Sequence, residues 1–247
     1  MNAFELSSQL LLPVREKSDL SFETFYSEKN DRAKFMLSSA IDEYQETAVL
    51  LVGPEESGKT HLLNAAIGYA ESKELDNVCY FSLAELNEFE LSESDVQGLF
   101  SSFEQYSILA LDHLDLWLCH QSLSREFKER CLFNLFNHYK AQGDMLIFAL
   151  SQPVDALNIC LADLLSRLKS GLLISLKAYS DAEKELIMQQ VAIHKGFSLE
   201  EGVSTFIIKR SGRNLTELLA LLDQLDKASL TEQRKLTIPF VKKVLNW

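Results

Sequence analysis

The sequence predicts an α/β domain built on a five-stranded parallel sheet, followed by a small all-helical domain. Three observations predict it. Short apolar runs at 48–52, 78–82, 108–112, 145–150 and 172–176 alternate with helical periodicity, the pattern of a parallel sheet covered by helices. The first run leads directly into Gly53-Pro54-Glu55-Glu56-Ser57-Gly58-Lys59-Thr60, which fits the phosphate-loop spacing G-x-x-x-x-G-K-[ST]. From Ser180 onward only helical periodicity remains. The expected divisions are an N-terminal arm over 1–20, the α/β domain over 21–178 and a helical lid domain over 179–247.

Within the arm, Gln9-Leu10-Leu11-Leu12-Pro13-Val14 is the one apolar feature. No basic residue precedes it over 1–12, and Pro13 and Arg15 end the leucine run, so it does not read as a signal peptide. Phe22 and Phe25 follow, placed either to cover a nucleotide base or to plug the core. A helix is expected over 31–44.

The loop after the first strand carries the chemistry. Gly53 and Gly58 let the backbone curl so that its N–H groups face an anion. The helix from Thr60 and His61 to Ser72 adds the positive end of its dipole. Lys59 supplies a full charge to the outer phosphates, and the Thr60 hydroxyl is placed to ligate Mg²⁺. Pro54, Glu55, Glu56, Ser57 and His61 complete the expected nucleotide-binding set, with the two Glu side chains turned to water. Some 50 residues on, Ile108-Leu109-Ala110-Leu111-Asp112 is an apolar strand ending in a carboxylate, placed to reach the same Mg²⁺. P-loop ATPases commonly follow this Asp with a second acid. Here His113 follows, with Asp115 two positions further, so weak intrinsic hydrolysis is expected. The segment 83–106 is polar and acidic. A helix over 125–142 presents Phe127, Cys131, Leu135 and Tyr139 on one face. The fourth strand ends at Ser151, where such ATPases place a γ-phosphate sensor. Asp163-Leu164-Leu165-Ser166-Arg167-Leu168 precedes the fifth strand. In the last domain, Ser180-x-x-Glu183, Ser198-x-x-Glu201 and Asn214-x-x-Glu217 mark helix starts, and Thr237-Ile238-Pro239 a fourth.

The 247 residues are 47% hydrophobic, ample for a core. A net charge of -12 repels the nucleic-acid backbone, so strong direct DNA binding is not expected. The interval between Lys73 and Arg125 has no Lys or Arg at all. The four cysteines show no metal-binding spacing and suit a reducing compartment. No run is long enough for a membrane span, and a cytoplasmic location is expected.

The run Leu222-Asp223-Gln224-Leu225-Asp226-Lys227-Ala228-Ser229-Leu230, with Gln233-Arg234-Lys235-Leu236-Thr237-Ile238-Pro239-Phe240-Val241-Lys242, resembles the end of the Hda family of DnaA-like AAA+ proteins. The resemblance spans the chain and implies a negative regulator of replication initiation. It implies that Gln9, Leu10, Leu12, Pro13 and Val14 dock on the DNA polymerase sliding clamp. It implies further that ADP or another nucleoside diphosphate with Mg²⁺ fills the site. Arg167 becomes a trans-acting arginine finger toward ATP held by the DnaA initiator, and self-association is possible in such a family. The plain alternative for Arg167 is a surface pair with Asp163. DnaA carries a further helix-turn-helix domain, and its absence after Trp247 is expected to separate regulator from initiator. The sensor arginine of many AAA+ lids is expected at Thr216, with Arg213 three residues early. A DNA-acting ATPase such as a helicase loader or free-standing initiator is the competing reading. It needs cations between the second and third strands, where the sequence has none.

Overall fold

A computed structural model describes residues 20–200, 202–232 and 234–247. The motif at Gln9–Val14 and Glu201 of the expected second cap lie outside them. The chain divides into two compact units: one holds residues to Phe25 and Lys29–Lys177, the other Tyr26–Glu28 and Ala178–Trp247.

The first unit opens with α1 (Asp31–Glu43), then β1 (Ala48–Val52), α2 (Lys59–Ser72) and β2 (Val78–Ser82). After a short 3₁₀ helix over Leu83–Glu88 come α3 (Glu93–Phe103), β3 (Ile108–Asp112), α4 (Leu114–Cys119) and α5 (Arg125–Gln142). β4 (Met145–Leu150), α6 (Ala162–Ser170) and β5 (Leu172–Ser175) complete it. All pairings are parallel, in the order β2-β3-β4-β1-β5. The three inner strands are buried at every residue, which is why they read as unbroken apolar runs rather than alternating ones. Side chains still alternate between faces. Leu50, Leu109, Leu111 and Phe148 pack with α3, α4, α5 and α6. Val49, Leu51, Ile147 and Ala149 pack with α1 and α2.

Two elements were not expected from sequence. α3 lies in the segment read as merely acidic, and its start is a capping box in which Ser92 and Asp95 bond each other's backbone N–H. α4 follows β3 directly and buries Leu114, Trp117 and Leu118. Phe22 and Phe25 resolve toward packing: Phe25 is buried edge-on against His61, and Phe22 tilts onto Tyr69.

α6 returns the chain to the sheet through Gly171. A Cβ there would sit 2.7 Å from Leu50 Cδ1 and 2.8 Å from the Ala48 carbonyl oxygen. The backbone φ of -73° is ordinary, so the constraint is purely steric. Gly171→Ala is therefore expected to cost about 1–3 kcal/mol. That should appear as a fall in melting temperature of about 3–10 °C, and an unchanged melt would contradict the packing.

The second unit contains α7 (Asp181–His194), α8 (Val203–Arg210), α9 (Leu215–Glu232) and α10 (Ile238–Leu245). Met188, Val203, Ile207, Leu218, Leu222, Leu225, Phe240 and Val241 form its core. Ser180 and Glu183 cap α7 reciprocally, Asn214 Oδ1 accepts from Glu217 N, and Thr237 caps α10 with Pro239 in the first turn. The expected cap at Ser198 is wrong. α8 starts only at Val203, after Gly202 at φ +77°. Leu199 instead makes a parallel bridge with Leu236, and that extended pairing is incompatible with a helix opening at Ser198.

Candidate functional site

At the C-terminal edge of β1 the chain curls into the loop. Gly53 N–H donates to the Leu150 carbonyl at 3.1 Å. A Cβ on Gly53 would fall 2.7 Å from Leu176 Cβ and 2.8 Å from Ser57 Oγ, so only glycine fits. Gly58 sits at φ +94° where α2 begins. Glu56 also takes a left-handed conformation, φ +61°, which costs a non-glycine residue about 1 kcal/mol or more. Pro54 and Glu55 are exposed, Glu56 half-buried and Ser57 fully buried.

Lys59 is only 8% exposed and donates to the carbonyls of Gly53 at 2.7 Å and Pro54 at 2.8 Å. Burial lowers its pKa, while Asp112, Asp115 and Glu55 oppose that by favouring the charged form. The ammonium thus closes the loop on itself at the position from which it would meet a phosphate. Thr60 and Asp112, on different elements, meet directly: Thr60 Oγ1 donates to Asp112 Oδ2 at 2.6 Å. Asp112 is fully buried and accepts two further bonds, from Tyr80 OH at 3.1 Å and from His113 N–H at 2.8 Å. Burial and Asp112 together push the Tyr80 phenol far up, which keeps it a donor. One carboxylate and one hydroxyl side by side are hard-oxygen donors of the kind Mg²⁺ takes alongside a nucleotide's phosphates. Among the described residues no cluster of three His, Cys, Asp or Glu could hold a metal by side chains alone.

His113 stands at φ +56° and turns its ring toward Ser82 Oγ, 3.2 Å from Nδ1. Asp115 is the buried acid. It is 5% exposed, Oδ2 accepts from Ser151 N–H at 3.2 Å, and Oδ1 has no hydrogen-bond partner among the described residues. Ser151 is thereby tied to α4 at the end of β4, the strand lying between β1 and β3. His61 reaches back to the Ser21 carbonyl at 2.9 Å and holds the entering chain against α2.

Arg167 lies elsewhere. Its helix α6 packs through Leu164 and Leu168 on the sheet face opposite α1 and α2. α6 ends beside Ala48, the start of β1, whereas the loop follows the end of β1. The anticipated pair with Asp163 is not among the ion pairs of the described residues. The guanidinium instead lies over Phe133, 5.0 Å to the ring centroid, and Phe136, 5.6 Å. In the lid, Arg213 pairs with Asp181 at 3.2 Å and Thr216 sits in the first turn of α9. Sequence reasoning missed Tyr80, Glu129, Phe133 and Phe136. Each acts across roughly 30 residues or more of chain, and the only local hint was the helical phase placing Phe133 and Phe136 three apart.

A parallel sheet of this order, a glycine loop at β1, an acid at the end of β3 and a helical unit later in the chain define a P-loop fold of the AAA+ kind. The description "Bacterial DnaA ATPAse domain" matches residues 17–175, and "Hda, lid domain" matches residues 181–245. The chain belongs to the bacterial DnaA ATPase-domain family and is an Hda-like, DnaA-homologous AAA+ protein. It is similar to an uncharacterized Haemophilus influenzae protein, 32% identical over 98% of this chain and 100% of that one. Among solved structures it is similar to domain III of the Thermotoga maritima replication initiation protein DnaA. The TM-score is 0.76 at 20% identity, covering 93% of this chain and 97% of that chain. It is also similar to AMPPCP-bound DnaA from Aquifex aeolicus, with a TM-score of 0.67 at 18% identity, covering 85% of this chain and 66% of the other.

Proposed function

We propose that this chain is a nucleotide-bound regulator of replication initiation that lends Arg167 to ATP held by the DnaA initiator while seated on the DNA-loaded sliding clamp. The observation that carries the reading is the state of Arg167. Its guanidinium makes no hydrogen bond and no ion pair among the described residues, so its five donors are uncommitted, and it belongs to a different edge of the domain from the chain's own loop. Uncommitted donors leave the guanidinium available to a phosphate brought by another molecule. The family membership with an Hda-type lid supports DnaA as that molecule.

The loop site supports a resident nucleoside diphosphate. Backbone N–H groups at the start of α2 and Lys59 would hold its phosphates, and Thr60 and Asp112 would hold Mg²⁺. The metal would supply charge neutralisation at the phosphate oxygens. Tyr80 and the His113 N–H orient Asp112 for that role. His113, with Nδ1 3.2 Å from Ser82 Oγ and 3.7 Å from Asp112 Oδ1, puts an imidazole where such ATPases carry a water-activating acid, in keeping with weak turnover alone.

The competing reading, a DNA-acting ATPase, finds no support between β2 and β3. That interval carries no cation, and few phosphates would be neutralised there. No helix among the described residues is long and apolar enough to cross a membrane.

The test is the lifetime of ATP bound to purified DnaA, measured with this protein and with clamp loaded on DNA, together and separately. Loss of bound ATP only in the full mixture supports the reading, and indifference to this protein refutes it. The arm makes a separate expectation. Gln9→Ala and Leu12→Ala should each abolish clamp retention while leaving the melting temperature within about 1 °C, because a short terminal peptide carries little of a domain's stability. Normal retention by both variants would remove the arm from the mechanism.

A further inference from the structure

Three carboxylates share the ammonium of Lys59: Asp112, Asp115 and Glu55 all favour its charged form. They are not equivalent. Glu55 is exposed, so water screens it. Asp112 is fully buried but fully engaged, accepting from Thr60 Oγ1, Tyr80 OH and the His113 N–H. Asp115 is 5% exposed and engaged through Oδ2 alone, by the Ser151 N–H. Its Oδ1 is buried and has no hydrogen-bond partner among the described residues. A carboxylate held out of water with an oxygen unused costs the fold stability. A group kept at that cost calls for a role beyond packing.

The fold places this acid one peptide away from the phosphate loop. The Ser151 N–H that Asp115 holds belongs to the Leu150–Ser151 peptide at the end of β4. The carbonyl of that same peptide accepts from Gly53 N–H at 3.1 Å, and the Gly53 carbonyl accepts in turn from Lys59 Nζ at 2.7 Å. Asp115 and the first residue of the loop thus grip opposite sides of a single peptide. A lysine at this loop position addresses the outermost phosphates of a nucleotide. Asp115 competes for that lysine and adds like charge beside it. It also occupies the Ser151 amide, a donor that a phosphate oxygen could otherwise use.

We propose that Asp115 is a specificity-determining residue of the loop site, a fixed carboxylate that disfavours a γ-phosphate and so selects nucleoside diphosphates over triphosphates. This inference rests on the nucleotide reading of the loop proposed above and names the residue that sets its choice. A third phosphoryl group would bring further negative charge into the field of a buried acid, where little water screens the repulsion. Selection by repulsion works only if the repelling group cannot turn away. Asp115 cannot: Ser151 N–H holds one oxygen, and Leu114, Trp117 and Leu118 bury the helix that carries it. A site tuned in this way stays filled by a diphosphate even in competition with triphosphate.

The test is a pair of dissociation constants, for ADP and for the non-hydrolysable triphosphate AMPPCP, each with Mg²⁺, on the full-length chain and its Asp115 variants. The parent should bind ADP at least about tenfold more tightly than AMPPCP. Asp115→Asn removes the charge while keeping the shape and an acceptor for Ser151 N–H. It should tighten AMPPCP about tenfold and leave ADP within about threefold of the parent. Asp115→Ser, neutral and smaller, should relax the preference in the same direction and carries the test if the Asn variant does not fold. Equal affinities in the parent would overturn the proposal without any variant. So would a preference that survives both neutral variants, which puts the selection elsewhere, or weaker AMPPCP binding in them, which makes Asp115 a support for triphosphate. Equal losses for both nucleotides with a lowered melting temperature would reduce Asp115 to a strut for Ser151 and overturn it as well. In each of these cases ADP binding by the parent leaves the nucleotide reading standing. A parent that binds neither nucleotide ends that reading and this inference together.

Discussion

Arg167→Ala is expected to abolish stimulated hydrolysis of DnaA-bound ATP, a loss of about 10³–10⁵-fold when an arginine finger is removed. Everything else about the protein should survive. Arg167 is half-exposed and makes no hydrogen bond or ion pair through its guanidinium among the described residues, so its removal leaves no buried partner stranded. The loss of its contact with Phe133 and Phe136 should cost about 0.5–1 kcal/mol at most. The variant should therefore fold, bind nucleotide and bind clamp. Arg167→Lys should recover little, because an ammonium is a point charge without the planar fork that addresses two phosphate oxygens at once. Single-turnover decay of DnaA-bound ATP in the complete mixture is the measurement. Parental rates for Arg167→Ala would end the mechanism.

The second large effect belongs to Lys59. A diphosphate that binds only the folded chain stabilises it by mass action, about 2.7 kcal/mol at one hundred times its dissociation constant. For a protein of this size that is a rise of about 5–10 °C in melting temperature. Lys59→Ala should eliminate that rise, since the loop then offers amides and a helix end but no full charge. The variant's own melt without nucleotide should change little. The two carbonyl bonds lost, to Gly53 and Pro54, are offset by no longer burying an ammonium whose pKa burial already depresses. Titration of ADP with and without Mg²⁺ decides it. An equal rise in parent and variant would exclude Lys59 from phosphate binding, and no rise in the parent would remove the nucleotide.

Much of this architecture was legible because it is locally encoded. The inner strands are covered on both faces, so each appears as a bare apolar run whose ends can be counted. Ser180, Asn214 and Thr237 announce their helices because a cap is a contact over three residues. The loop at Gly53 to Thr60 is legible for the same reason: its spacing is its geometry. Legibility fails where a residue's partner is remote. Tyr80 reaches Asp112 across 32 residues, and Glu129 reaches Leu161 across another 32. No window of sequence contains either pair. Ser198 illustrates the converse. Its local signal is a sound capping pattern, but the bridge between Leu199 and Leu236 draws that segment out straight, and tertiary pairing outweighs the cap. His113 and Asp115 fall between these cases. Both were visible next to Asp112, but only the backbone turn at His113, φ +56°, brings one ring to Ser82 at the end of β2 and the other side chain to Ser151 at the end of β4.

The two ends of β1 give the domain a polarity. At its C-terminal end sits the loop that would receive phosphate, and at its N-terminal end Gly171 seats the helix bearing Arg167 against Ala48. Contacts between such a socket and such a plug are head-to-tail, and head-to-tail contacts do not close on themselves unless the rotation between neighbours happens to make a ring. A row of related molecules joined this way always keeps one unused plug and one unused socket at its extremities. On the reading proposed above, an Hda-like chain would offer its plug only at the terminus whose socket is unused, and the opposite terminus would lie outside its reach.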